Sequence, residues 1–295
     1  MTHEDLIYRV LSVIFPVVII VSVGYFYSRR FKLDMAASNR LNIDVFVPML
    51  IFDIMSSGKF ALADYTVLAL GGALVILGSG LLTWPLARLL GYQWKTFLPP
   101  MMFSNSGNMG LPILLLAFGE QALPAAVVLF VLENFLHFSL GQRMLDHRGS
   151  LLSLLKNPMI VATIGGIAIS ELAVPLPEIV KLPIHMLGQV SIPLMLFSLG
   201  VRLTALDLRD WRIGLTGAVA CPVSGLAIAL LILPWLSLPE AQVPILIVFS
   251  VLPPAVINFL IAEQYNQEPQ LVASIVLIGN LAAVIAIPLT LWFTL

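Results

Sequence analysis

Two segments of this 295-residue chain set ligand-binding residue types inside otherwise apolar stretches. The first is Phe103-Ser104-Asn105-Ser106-Gly107-Asn108-Met109-Gly110-Leu111-Pro112, in which residues 104–108 are small or polar. Gly107, Gly110 and Pro112 disfavour a continuous helix there. The second covers residues 249–259 and carries Pro253 and Pro254 at the equivalent depth, with Asn258 just beyond. Each proline removes a backbone donor and clashes with the preceding turn. A broken helix frees N–H and C=O groups that lipid cannot satisfy, so such breaks persist only beside protein, water or ligand. The N-terminal ends of the resumed half-helices carry unpaired donors and partial positive charge, and can hold an anion without a buried lysine. No Lys or Arg lies near the middle of any apolar run, so an anion would depend on those ends and on Asn105 and Asn108. The candidate substrate ligands are Ser104, Asn105, Ser106, Asn108, Pro253, Pro254 and Asn258. The alternative is a pair of structural kinks, because Gly and Pro are common in membrane helices.

Ionisable groups within apolar runs are few: Asp44, Asp53, Glu133, His137 and His185. Glu133 is the deepest, and a carboxylate at mid-bilayer costs roughly 2.5–3.5 kcal/mol on insertion scales. His137 lies four residues on and shares its helix face, with Asn134 beside them. Glu133, Asn134, His137 and Asn280 are candidates for a coupling site that takes H⁺ or Na⁺. The competing reading is a neutral Glu133 hydrogen-bonded to a neighbouring helix. Asp44 and His185 fall near the ends of their runs, where an interface is expected, and Asp53 is intermediate. No cofactor and no metal site are expected. Cys221 is the single cysteine, which excludes an internal disulfide. No zinc-protease, nucleophile-elbow or paired-aspartate motif occurs, and Ser104 and Ser106 lack a nearby base, so the chain is not read as an enzyme.

The elements that must position these residues follow from composition. The chain is 59% hydrophobic and 11% charged, with a mean hydropathy of +1.00. A soluble domain carries roughly 25% charge, so the expectation is an all-α membrane protein. Apolar runs recur at 6–27, 39–57, 64–90, 97–118, 122–144, 157–173, 179–201, 211–236, 242–264 and 269–294, which predicts ten transmembrane helices with the breaks in the fourth and ninth. The connections are too short for a soluble domain. The first run is followed by Arg29, Arg30 and Lys32 rather than small residues, so it reads as a retained helix and not a cleaved signal. Alternate connections hold 12 of the 15 basic residues, and the opposite side holds only Arg9, Lys59 and Lys181. The positive-inside rule then places both termini outside the cytoplasm. The net charge of −1 gives no basic patch for nucleic acid.

The two halves, 1–144 and 145–295, share weak self-similarity. Residues 47–55 resemble 192–200 at an offset of 145; Asp64-Tyr65 and Asp210-Trp211, Phe103-Ser104 and Phe249-Ser250, and Asn134 and Asn280 match at an offset of 146. Five helices per half is odd, so the second half would be inverted, the 5+5 arrangement of secondary transporters.

These segments carry a resemblance to the auxin efflux carrier family, which includes the plant PIN carriers and bacterial relatives. The first break is similar to the plant pattern N-T-x-x-M-G-x-P. The second resembles L-P-x-x-x-x-x-F-x-x-A-x-x-Y-N through Leu252, Pro253, Phe259, Ala262, Tyr265 and Asn266, and Asn42, Pro48 and Phe52 also fit. The resemblance implies a sodium/bile-acid symporter-like fold. Helices 1, 2, 6 and 7 would form a scaffold, helices 3–5 and 8–10 a moving transport domain, and helices 4 and 9 would cross at the site. It also implies a homodimer joined through the scaffold, in the bacterial inner membrane among its lipids. The implied activity is secondary active or facilitated transport of a small organic anion, a carboxylate such as malate, malonate or an auxin-like acid, by an elevator-like shift. The large cytoplasmic loop of many plant members is absent, and Pro254 departs from the more polar plant pattern, which argues against auxin itself. A receptor or sensor using the same pocket without transport is the alternative.

Overall fold

The computed structural model describes residues 3–57, 60–145, 156–204 and 210–295. Among these residues the chain is helical throughout, with no strand beyond one isolated bridge between Ser104 and Pro254. The helices are α1 (His3–Phe31), α2 (Ala36–Leu41), α3 (Val47–Met55), α4 (Thr66–Leu89), α5 (Trp94–Met102), α6 (Leu111–Phe118), α7 (Leu123–Leu136), α8 (Gln142–Leu145), α9 (Pro158–Glu171), α10 (Glu178–Leu203), α11 (Trp211–Ile232), α12 (Val243–Ser250), α13 (Ile257–Gln264) and α14 (Pro269–Thr294). Wider π-helical turns join α2 to α3 (Asn42–Phe46), lead into α6 (Ser106–Gly110) and join α7 to α8 (His137–Gly141).

About 20 helical residues cover a ~30 Å hydrocarbon layer. Six helical stretches among the described residues meet that length with apolar composition: Glu4–Phe31, Leu62–Leu89, Glu120–Leu145, Glu178–Leu203, Trp211–Trp235 and Pro269–Thr294. They correspond to the first, third, fifth, seventh, eighth and tenth apolar runs. The other four runs are helical but shorter or interrupted. The sixth gives α9, only 14 residues long, and the fourth and ninth divide at 103–105 and 251–256. Lys59, Arg148 and Arg209 of the basic-residue tally, and the connection at 146–155, lie outside the described residues.

The outer surface inverts the pattern of a soluble protein. Leu89, Ile179, Trp235 and Phe293 are 82, 83, 86 and 86% exposed, amid many other exposed large apolar side chains. The interior holds the polar ones: Asn105, Glu133, His137, Asn258 and Asn280 are buried. Apolar surface on this scale suits lipid rather than water. The chain is an integral membrane protein.

The helices sort by packing into two groups. In one, α1 lies along α10, and α3 packs against α9 and α10. In the other, α11 lies along α14 and α4, and α4 packs on α5 and α7. At the start of α5, Gln93 Nε2 and Thr96 Oγ1 both donate to Glu268 (3.0 and 2.5 Å), fastening that segment to the start of α14. The α1–α10 contact is backbone against backbone. A Cβ on Gly24 would strike Phe197 O, and one on Gly200 would strike Val21 O. Small residues permit this approach, which supplies packing where lipid gives no hydrophobic drive.

That contact yields a prediction. Gly200→Val should force α1 from α10 and cost about 1–3 kcal/mol or more, read as a lower melting temperature in detergent. Gly165→Ala, whose added Cβ meets only Phe52 at ordinary contact distance, should leave the melting temperature unchanged. Equal melting temperatures for Gly200→Val and the parent chain would show that the contact bears no packing energy.

Candidate functional site

The two breaks meet back to back. After α5 the chain extends at Phe103, and after α12 it turns at Val251. Asn105 N–H then donates to Pro253 O (2.6 Å), and Ala255 N–H donates to Phe103 O (2.9 Å). Each break thus satisfies backbone groups freed by the other. Two asparagine side chains complete the junction. Asn258 Nδ2 donates to Phe103 O and Ala255 O (2.9 and 3.0 Å). Asn280 Nδ2 donates to Pro254 O and Val276 O (2.9 and 2.8 Å), while its Oδ1 accepts from Asn105 Nδ2 at 2.7 Å. Gly110 lets Leu252 sit close, since a Cβ there would lie 2.8 Å from Leu252 Cδ1.

Past each junction a half-helix resumes. Asn105 O is the acceptor for Met109 and Gly110 N–H, so the N–H groups of 106–108 precede the first intrahelical bond. Ser106, Gly107 and Asn108, and likewise Ala255, Val256 and Ile257 at the start of α13, line one cavity of about 150 Å³. One water needs only about 10–15 Å³, so the space suits a small molecule. Both half-helix N-termini therefore face the same volume.

Glu133, Asn134 and His137 of the α7 segment form another wall. Glu133 Oε1 accepts from Ser104 N–H, tying this carboxyl to the first break. Asn134 Nδ2 is spent on Phe130 O of its own helix at 2.8 Å. The His137 ring stacks on Phe103, centroids 4.1 Å apart. The remaining wall comes from the α1–α10 group: Asn39, Asn42, Met195 and Arg202. Ser198 Oγ donates to Asn39 Oδ1 at 2.7 Å, holding α2 to α10.

The sequence-derived candidates divide accordingly. Ser104, Asn105, Ser106, Asn108, Glu133, Asn134 and His137 reach the cavity. Asn105 keeps one amide hydrogen and its Oδ1 without a partner among the described residues. Pro253 and Pro254 do not reach it, and Pro254 packs on Gly279 of α14. Asn258 and Asn280 sit behind the cavity as braces. Asp53 and His185 pair with each other at 2.8 Å, far from the breaks in sequence, and Asp44 pairs with Arg40 at 3.5 Å on the exposed surface. Sequence reasoning missed Asn39, Arg202 and the apolar Ala255–Ile257. The spacing of Asn39 and Asn42, one helical turn apart, was an available signal for a polar face.

Six buried side-chain polar atoms among the described residues have no hydrogen-bond partner, and four of them are on residues lining this cavity: Asn42 Oδ1, Ser104 Oγ, Glu133 Oε2 and Arg202 Nε. Buried polar groups are normally satisfied. The Ser104 hydroxyl lies within reach of the Glu133 carboxyl, so these two groups offer each other a partner, and Asn42 and Arg202 carry the unspent atoms.

Comparison with known proteins fits this geometry. A family profile described as "Membrane transport protein" matches residues 9–152 and 148–292. A protein of Rhizobium meliloti (strain 1021), described as "Putative malonate transporter", is 29% identical over 198 residues, 62% of this chain. The match spans 61% of that relative's length.

The bracing role of Asn280 is testable. Asn280→Ala would orphan Pro254 O and Asn105 Nδ2, at about 1–3 kcal/mol for each buried group. Its melting temperature should fall by several degrees, whereas Asn134→Ala, which loses a bond only to its own helix, should change little. Equal losses would deny the junction its special weight.

Proposed function

We propose that this chain, which belongs to the membrane transport protein family and resembles the auxin efflux carriers in its broken segments, is a transporter that moves a small carboxylate through the cavity between its two helix groups. The two half-helix N-termini that line that cavity carry the reading. Donors at two half-helix ends and at Asn105 and Asn108 suit a carboxylate. The description of the Rhizobium relative as a malonate carrier points the same way.

The mechanism we favour is elevator-like alternating access. The group containing α1, α3, α9 and α10 would be the scaffold and dimer surface, and the group containing the breaks would move. The separate packing of the two groups supports this division. The spacing of equivalent helices supports a repeat: α4 and α11 start 145 residues apart, and α7 and α14 start 146 apart. Ten crossings and both termini outside the cytoplasm complete the proposal on the strength of the basic-residue bias, and the Rhizobium relative supports a place in the bacterial inner membrane.

Thermal-shift titration of the purified protein against mono- and dicarboxylates tests binding, since a ligand of the folded state raises its apparent stability. Counterflow in proteoliposomes tests transport. Binding without counterflow would identify a receptor instead. Asn105→Ala, which also leaves Asn280 Oδ1 without its partner, should lower the substrate affinity of the folded protein about 2–10-fold, the worth of one neutral hydrogen bond. Undiminished uptake would remove Asn105 from the site. Glu133 contacts the first break directly and is one of the residues lining the cavity. Glu133→Gln should keep substrate exchange but lose accumulation driven by a pH gradient. Unchanged accumulation would leave Glu133 a structural acceptor for Ser104.

A further inference from the structure

Several described basic residues near helix ends pair with an aromatic ring or an acid. The cationic groups of Arg29, Arg88, Lys95 and Arg212 lie 4.9–5.8 Å from the ring centroids of Tyr25, Trp84, Trp94 and Trp211. Aromatic and basic residues together mark the membrane–water boundary. Arg40 pairs with Asp44, and Lys181 pairs with Glu178.

Arg202, in the last turn of α10, differs from all of these. It has no such ring and no acidic partner among the described residues. It lines the cavity and is the one Lys or Arg among the described residues that does. Its Nε is buried and has no hydrogen-bond partner. A charged donor left unpaired in a buried position is costly. The guanidinium is a planar fork matched to a carboxylate.

The half-helix ends with Asn105 and Asn108, on one side, suffice for a single carboxylate. Arg202, on the α10 side, would have no role in holding a monocarboxylate bound there. We propose that Arg202 selects a short dicarboxylate over a monocarboxylate, by binding the second carboxylate that the half-helix ends do not hold. This rests on the reading of the cavity as a carboxylate site. The cavity of about 150 Å³ limits the ligand to a few carbons between the two groups. Among the described residues lining the cavity, Arg202 carries the one cationic side chain, so the second carboxylate belongs at the Arg202 end.

The test compares malonate with monomethyl malonate, which has nearly the same shape and one charge fewer. Binding of each to the purified full-length protein would be measured by titration calorimetry at fixed pH and salt. The parent chain should prefer malonate. In R202Q, malonate affinity should fall about 10–100-fold, the worth of a charge-assisted pair, to the level of monomethyl malonate, whose own affinity should hold within about twofold of the parent value. R202K keeps the charge without the fork and should show an intermediate preference. If R202Q retains the malonate preference, or weakens both ligands equally, Arg202 does not select. If R202Q does not fold, R202K decides, and an undiminished preference there overturns the proposal. If the parent chain binds neither compound, the carboxylate reading fails and this inference falls with it. If it binds both while selection survives the substitution, only the role of Arg202 fails.

Discussion

Two backbone hydrogen bonds hold the centre of this protein together: Asn105 N–H to Pro253 O, and Ala255 N–H to Phe103 O. In a bilayer, non-helical backbone survives only where protein or water satisfies it. Each break alone would leave several donors and acceptors bare. Joined, each supplies what the other lacks, and Asn258 and Asn280 supply the rest. Much else follows from that junction. Glu133 is drawn to Ser104 N–H, Leu252 sits close against Gly110, and the two resumed half-helices are left aiming their N-termini at one cavity.

The junction also accounts for an asymmetry between the halves. At the 146-residue offset, Glu133 corresponds to Gly279. In the first half the carboxylate reaches the break and accepts a backbone bond. In the second half Pro254 has no N–H to offer, and its ring needs the space that a side chain at 279 would fill: a Cβ on Gly279 would lie 2.7 Å from Pro254 Cδ. A proline at one break and an acid facing the other are complementary solutions to the same shortage of backbone partners.

The location of both breaks was legible in the sequence, because Pro and Gly act on the backbone locally and need no partner to be recognised. So were the helical segments, whose apolar runs reappear within a few residues. The directions of side chains beyond a break were not. A break resets helical phase, so depth in the membrane is preserved while the facing side is lost. Hence Pro253 and Pro254 were expected at the ligand and instead pack toward α14, while Asn258 and Asn280 became braces. Arg202 was read for topology because an arginine at the end of an apolar run normally marks the cytoplasmic boundary. Only the packing of α2 and α10 around it reveals a cavity wall. The Asp53–His185 pair was equally hidden, since 132 residues separate its members.

The division of the cavity between two helix groups has an energetic consequence under alternating access. A ligand shifts a conformational equilibrium only by its differential affinity for the two states. Contacts from Ser106, Asn108 and the start of α13 travel with the ligand if the break-bearing group moves, so they contribute equally in both states. A contact from α10 does not travel. A second carboxylate held by Arg202 would therefore bind more tightly in the arrangement described here than in the displaced one. The same bond that confers selectivity would bias the resting state, and the passage to the displaced arrangement would cost the free energy of the Arg202 contact.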